Sequence, residues 1–336
     1  MSHDGQDCLQ MRFSLSTNWC NRTLETGEEI ADKALELGFD ALELGFMTPF
    51  GQLDGFKRRL DEMPVESVHA FCPVPVSAPC GSPELYSLFS ADENVRAMAK
   101  AHLLKTLDTA ESFGAASVVL HAGRVPFNSF FSRKLNSHFL RDKMLSHAEG
   151  AKGRKYQKLL AAAFAKRQKR VDAIMPTFMR ELEGVLDCFE KRGVVLAMEN
   201  LPFLEGFPNE VEMLSIAEAF DGAPLGAWFD TGHHHVREMH GWVTDECAEA
   251  MARLEGRGKI RGMHLNDVKD YYDDHFAPGG GSVEFSRYAS VAACVEHVVF
   301  EPKSHVSEAD LRRGMDFIRN TFKKGSELID TVSLIK

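Results

Sequence analysis

The stretch from residue 194 to residue 200 reads VVLAMEN, an apolar run of strand length that stops at a carboxylate and an amide. Fully buried parallel strands have continuous Val, Ile and Leu runs of this kind. Three later apolar runs also stop at a polar side chain, at Asp230, His264 and Glu301. Intervals of 31, 34 and 37 residues separate these ends in turn, counted from Glu199. Each interval is about one βαβ unit of roughly 30 residues or more, which predicts a (β/α)8 barrel with all strand ends on the active-site face.

The rest of the sequence supplies the other strands and the helices between them. Apolar runs ahead of the quoted stretch predict four strands, at 12–16, 41–46, 67–71 and 117–121. Helical periodicity follows the strands, and one helix is predicted over 171–191, where Pro176 either bends the helix or marks its start. We expect a single α/β domain over residues 1–336, with a disordered leader at 1–10.

The composition is that of a globular protein, with 44% hydrophobic and 26% charged residues. The N-terminus lacks the basic and apolar regions of a signal peptide, and no apolar run approaches the ~18 residues of a membrane span. Seven cysteines are scattered without a CxxC pair. The sequence therefore predicts a cytoplasmic protein with reduced thiols and no membrane partner.

An insertion of unusual length, residues 122–170, follows the fourth strand, where an ordinary βα loop has about 2–6 residues. Residues 124–170 contain 13 Lys and Arg against 2 Asp and Glu, so this part carries +11 and the rest −21 of a net charge of −10. The insertion is predicted to lie over the catalytic face, as a lid on an anionic substrate or as a nucleic-acid clamp. The alternative, which we favour, is a solvated helix packed on the acidic barrel or on another subunit of a homo-oligomer. The acidic chain as a whole does not favour nucleic-acid binding.

The four strand-end residues have the donors of a metal site. Glu199, Asp230, His264 and Glu301 offer three carboxylates and one imidazole. These ligands suit one divalent metal, Mn²⁺ or Mg²⁺ before Zn²⁺ or Co²⁺. Each residue could instead be a solvated strand end, but four at successive strand ends favour the metal site.

Four segments of the chain resemble the xylose isomerase-like TIM-barrel superfamily, which includes sugar phosphate isomerases and epimerases and AP endonuclease family 2. The segments are MENLP at 198–202, FDTGH at 229–233, HLND at 264–267, and DDH at 273–275 followed by PGGG at 278–281. The resemblance covers about residues 12–322 apart from the insertion. It implies a metal held by the four strand-end residues and a sugar isomerase or epimerase that transfers a proton alpha to a carbonyl.

The same resemblance assigns roles to individual residues. Glu199 and Glu301 match the acid/base pair of ketose 3-epimerases, and His233 and Glu205 match contacts to substrate hydroxyls. Asp270 stands where those epimerases carry an arginine, which puts their particular substrate in doubt. Four further residues are candidates for the substrate pocket, although core or structural roles are equally open for the last two: His69, His121, Trp19 and Glu43.

Two alternatives to the isomerase remain. Endonuclease IV of the same superfamily has three zinc ions and nine ligands, and all nine matching positions here carry suitable residues: His69, His121, Glu199, Asp230, His233, His264, Asp273, His275 and Glu301. Adjacent metals can generate hydroxide and hold a phosphodiester. The nine-residue interval from His264 to Asp273 is the shorter spacing of sugar-isomerase relatives and counts against abasic DNA as substrate. The second alternative is a non-catalytic sugar-binding barrel.

Overall fold

The computed structural model describes residues 11–127 and 132–333. Within these ranges the chain forms ten strands: β1 (Ser14–Ser16), β2 (Ala41–Leu44), β3 (Val65–His69), β4 (Ser117–Leu120), β5 (Gly123–Arg124), β6 (Val195–Glu199), β7 (Gly206–Phe207), β8 (Leu225–Asp230), β9 (Ile260–Leu265) and β10 (His297–Phe300). Eight of them close into a parallel barrel in the order β1, β2, β3, β4, β6, β8, β9, β10, and β10 pairs with β1. The barrel prediction is confirmed. The predicted leader, 1–10, lies outside the described residues.

The helices alternate with the barrel strands along the chain. The α-helices of the described ranges are α1 (Gly27–Leu37), α2 (Leu53–Arg58), α3 (Glu93–Phe113), α4 (Ser137–Leu145), α5 (Arg154–Arg192), α6 (Glu210–Ala219), α7 (Thr231–Met239), α8 (Asp245–Gly256), α9 (Ala289–Cys294) and α10 (Glu308–Ser333). None of them has both the length and the apolar character needed to cross a bilayer, within the described part of the chain.

Helix α1 illustrates how local sequence sets these boundaries. Thr26 and Glu29 form a reciprocal capping box at its start, and Gly38 ends it in the left-handed conformation with φ 92°. Ile30 and Leu37 lie on the face that packs against the barrel and are buried. The caps fix the ends, and the apolar stripe fixes which side of the helix meets the sheet.

The centre of the barrel is filled by a layer of buried side chains. Strands β4, β6, β8 and β10 each contribute one member to a separate buried cluster, which consists of Val119, Ala197, Trp228 and Val299. Strands β4, β6 and β8 are neighbours in the barrel, and β9 lies between β8 and β10. The Trp228 indole fits because β9 has Gly262 beside it, where a Cβ would lie 2.3 Å from a ring carbon. The interior is therefore a packed core, and a ligand can enter only at its end.

The predicted helix at 171–191 is the second half of a longer helix. α5 runs unbroken for 39 residues and contains Pro176, so the proline does not mark a helix start. The buried side of α5 continues from Leu160 in the insertion to Val171 and Phe178 beside the barrel. Because one apolar stripe spans both parts, packing holds the helix together across the proline, which lacks an N–H for the helical ladder.

Candidate metal centre at the carboxyl end of the barrel

Strand alternation places four polar residues directly above the interior layer. Side chains two positions apart on a strand share a face. Four residues each lie two positions beyond a member of the layer: His121, Glu199, Asp230 and Glu301. His69 and His264 lie at the ends of β3 and β9, and all six side chains are buried. The barrel register therefore gathers these residues at one end.

Four of the predicted ligands form a compact cluster, called here the central group: Glu199, Asp230, His264 and Glu301. Their ligand atoms all lie within 4.8 Å of one another. His264 Nδ1 is 3.3 Å from a Glu199 oxygen, 3.4 Å from a Glu301 oxygen and 3.8 Å from an Asp230 oxygen. The four donors can reach one cation.

The orientation of His264 is fixed from below by Glu43. His264 Nε2 lies 3.1 Å from a carboxylate oxygen of Glu43, which also accepts a hydrogen bond from Ser67 Oγ. With Nε2–H donated to Glu43, the Nδ1 lone pair faces the central group, the arrangement by which carboxylates orient metal-bound histidines. Glu43 is fully buried, contacts His264 and does not line the cavity described below.

A first flanking group consists of His69, His121 and Glu199. The backbone carbonyl of Ala70 accepts a hydrogen bond from His69 Nδ1 at 2.9 Å, which leaves Nε2 facing Glu199 Oε2 at 3.1 Å. His121 Nε2 lies at the same distance from the same oxygen. Glu199 is thereby shared between this group and the central group.

A second flanking group consists of His233, Asp273 and His275. His233 Nδ1 donates to the carbonyl of Asn200 at 2.8 Å, and His275 Nδ1 donates to the carbonyl of Glu301 at 2.7 Å. Both Nε2 atoms then face Asp273 Oδ1, at 3.5 and 3.0 Å. Asp273 Oδ1 is an acceptor, and it faces the lone pairs of both Nε2 atoms. A cation or added protons must therefore lie between these atoms, so this group also has the geometry of a metal site.

Electrostatics distinguish the central group from the second flanking group. Burial opposes protonation of His264, but the carboxylates of Glu301, Glu43 and Glu199 outweigh it and hold its pKa well above the ordinary value. Even with His264 protonated, the three carboxylates of the central group keep two negative charges. Burial raises the pKa of Asp230 to about 6, although the charge of His233 opposes the rise. Buried carboxylates gathered in this way are costly, and one divalent cation would neutralise their charge.

Protons and a lysine can balance the second flanking group without a metal. Burial opposes the charge of His233, but the Asp230 and Asp273 carboxylates outweigh it and raise its pKa to about 10. Lys303 Nζ hydrogen-bonds the Asp273 carbonyl and lies 3.5 Å from its carboxylate. The donors of the central group therefore fit a divalent cation best.

A cavity of about 460 Å³ opens above the centre. Of the predicted residues, five line it: His121, His233, Asp273, His275 and Glu301. The other central-group ligands and His69 lie behind these side chains. Glu301 is thus the one central-group ligand that also borders the cavity, and Asn18 Nδ2 donates to its Oε1 at 3.4 Å.

Two predicted substrate contacts lie outside this cavity lining. The Glu205 carboxylate accepts hydrogen bonds from the backbone N–H, at 2.9 Å, and the hydroxyl of Ser137 at the start of α4, so both its oxygens are used there. The Trp19 indole donates to the carbonyl of Val306 at 2.8 Å and packs in the core. The resemblance implied a substrate role for Glu205, whereas in the structure its carboxylate binds Ser137 of the insertion.

The described part of the insertion makes buried contacts with the loop after β6. Arg167 is buried, and its guanidinium donates to the carbonyls of Leu204 and Gly206 at 2.7 and 2.5 Å and pairs with Glu212. Strands β5 and β7 form a two-stranded antiparallel sheet that ties the start of the insertion to the same loop. These contacts pack the described part of the insertion against the loop after β6.

Several cavity residues were not recognised in the sequence. Arg124 stacks its guanidinium 3.4 Å from the centre of the Phe203 ring and donates to Glu84 at 2.7 Å. Arg22 and Lys303 line the opposite side. Lys303 could have been found from its position just after strand β10. No sequence pattern predicts the contact between Arg124 and Phe203.

The fold and its centre define a parallel (β/α)8 barrel with a candidate metal site at the carboxyl ends of its strands. The chain belongs to the xylose isomerase-like TIM barrel family, whose model matches residues 31–321. No curated protein sequence is significantly similar.

Solved structures that resemble this fold include sugar epimerases. A D-tagatose 3-epimerase-like protein is 19% identical with a TM-score of 0.65, over 95% of this chain and 100% of that one. D-psicose 3-epimerase from Clostridium cellulolyticum H10, solved with D-tagatose, is 13% identical with a TM-score of 0.60, over 93% and 99%. The IOLI protein, solved with a zinc atom, is 14% identical with a TM-score of 0.56, over 96% and 98%. At these identities the likeness establishes the fold.

Proposed function

We propose that this protein is a divalent-metal-dependent isomerase or epimerase of a small sugar or hydroxy-ketone. The observation that carries the proposal is the position of Glu301, which belongs to the central group and also borders the cavity. A carboxylate at that place can take a proton from a substrate carbon beside the metal site. The fold neighbours that are sugar epimerases support this choice of reaction over others.

In this proposal the chain holds the substrate and moves the proton. A divalent cation held by the central group, when bound, supplies Lewis-acid stabilisation of negative charge on the substrate oxygen. Glu301 accepts the proton alpha to the carbonyl, and Asn18 orients its carboxylate. Glu199 is the second acid/base group, and His233 borders the cavity where it can contact a substrate hydroxyl. Phe46 and Phe203 give the cavity apolar walls for a sugar face.

A second candidate is a multinuclear phosphodiesterase, as the resemblance to endonuclease IV implies. The observation that favours it is the grouping of all nine matched residues into three clusters, two of which share Glu199. Both Glu199 oxygens lie 3.1–3.3 Å from imidazole nitrogens, which suits a bridging ligand. To act as an acid/base group, Glu199 would have to give up one of these contacts.

One assay tests the proton transfer without knowledge of the product. The metal-loaded protein is incubated in D₂O with a panel of ketoses and ketose phosphates, and deuterium entering the carbon alpha to the carbonyl is followed by NMR. We expect exchange with at least one of them, lost in Glu301→Gln and kept in Glu296→Gln. Glu296 is a matched control because it lies at the opposite end of β10, exposed and paired with Arg261.

Two other results would contradict the proposal. Cleavage of an abasic DNA duplex, with no deuterium exchange in any sugar, would favour the phosphodiesterase. Saturable sugar binding that persists after metal removal, with neither reaction, would favour the non-catalytic barrel.

A further inference from the structure

One side of the cavity rim presents polar groups from two adjacent strands. Arg22 comes from the loop after β1, and the turn 303–305 follows β10. β1 and β10 are neighbours in the barrel, and the Trp19 indole bonds the carbonyl of Val306, which links the two loops. Arg22, Lys303, Ser304 and His305 all line the cavity. This surface is called here the β1/β10 rim.

Several donors of the β1/β10 rim are free. Among the described residues, the Arg22 guanidinium has no hydrogen-bond or ion-pair partner, and neither the Ser304 hydroxyl nor the His305 imidazole has a hydrogen-bond partner. Lys303 is engaged by Asp273. The opposite rim differs, because Arg124 is already paired with Glu84 at 2.7 Å. Among the described residues, the unpaired guanidinium of the cavity lining, that of Arg22, therefore lies on the β1/β10 rim.

We propose that the substrate carries an anionic group, a phosphate or a carboxylate, which binds the β1/β10 rim while the reacting carbon lies beside Glu301. This inference rests on the proposed isomerase and narrows its substrate class to sugar phosphates or sugar acids. A guanidinium binds such anions through two parallel hydrogen bonds, and the Ser304 and His305 side chains add donors. A cavity of about 460 Å³ suits a small molecule of this kind.

The test uses unreactive polyols, so that binding is measured without turnover. Ribitol, ribitol 5-phosphate and ribonate are titrated calorimetrically into the metal-loaded protein. We expect ribitol 5-phosphate or ribonate to bind at least about tenfold more tightly than ribitol, and the stronger of the two identifies the anion. Arg22→Gln should remove most of that advantage and leave ribitol binding unchanged, with a smaller loss for His305→Gln. Arg58→Gln is the control, because Arg58 is exposed, pairs with Glu28 and lies outside the cavity lining.

Arg22 is exposed and unpartnered, so its replacement should leave the melting temperature unchanged. Equal affinity of the wild type and Arg22→Gln for the anionic polyols would overturn the proposal, because the anion would then bind elsewhere, such as at the metal. Loss of single-stranded DNA binding in Arg22→Gln, with polyol phosphate binding intact, would also overturn it. If the β1/β10 rim binds the anionic polyols more tightly than ribitol but no sugar exchanges deuterium, the anion site stands and the isomerase proposal fails.

Discussion

Replacement of Glu199 by glutamine tests the centre most directly. The change keeps the side-chain shape and removes a carboxylate that belongs to two ligand groups. A metal at a free concentration of about 100 times its Kd stabilises the folded state by about 2.7 kcal/mol. Unfolding entropy of about 2.1 cal/mol/K per residue gives about 0.7 kcal/mol/K for 336 residues, so each bound metal raises Tm by about 4 °C.

We expect one metal per chain in the purified protein and a fall in Tm of about 4 °C on chelation. Both effects should vanish in Glu199→Gln and persist in Asp273→Asn, because Asp273 belongs to the second flanking group and is partnered by Lys303. Elemental analysis and calorimetry measure the two quantities. About three metals per chain, a chelation shift near 12 °C and a loss of one metal in Asp273→Asn would refute the single-metal reasoning.

Three further predictions address catalysis, packing and pH. Glu301→Gln should lower the rate of deuterium exchange by at least about 10²-fold, because a general base contributes at least this much to proton transfer. The circular dichroism spectrum should be unchanged. Exchange at the full rate would exclude the role of Glu301. Gly262→Ala should lower the free energy of unfolding by about 3 kcal/mol, because the new Cβ overlaps the Trp228 ring, and unchanged stability in urea would contradict that packing. Burial lowers the pKa of His240 to about 4 from 6.5. The unfolded chain therefore binds a proton first as pH falls, and up to about 3 kcal/mol of stability should be lost between pH 6.5 and 4. His240→Gln should reduce this loss in urea titrations at pH 7 and 4.5, and an identical loss in both proteins would contradict the assignment.

The insertion shows where the sequence alone was insufficient. Its charge and length left both a lid and a packed helix open, and in the described part of the insertion Arg167 and Ser137 bind the loop after β6. Charge composition does not reveal that one arginine among many is buried. Ser137 also binds the Glu205 carboxylate, for which the resemblance implied a substrate contact.

The sequence by itself determined the barrel and the convergence of its strand ends. Apolar runs of strand length, repeated at intervals of one βαβ unit, leave few other folds, and strand alternation then points residues 199, 230 and 301 to one end. The tertiary structure decided which of these residues borders the cavity, and it placed Glu43 beneath His264. It also brought Arg124 onto Phe203, and on the β1/β10 rim it left Arg22 without a partner from the described parts of the chain. Those contacts join loops from different strands, and only the closed barrel fixes the distances between them.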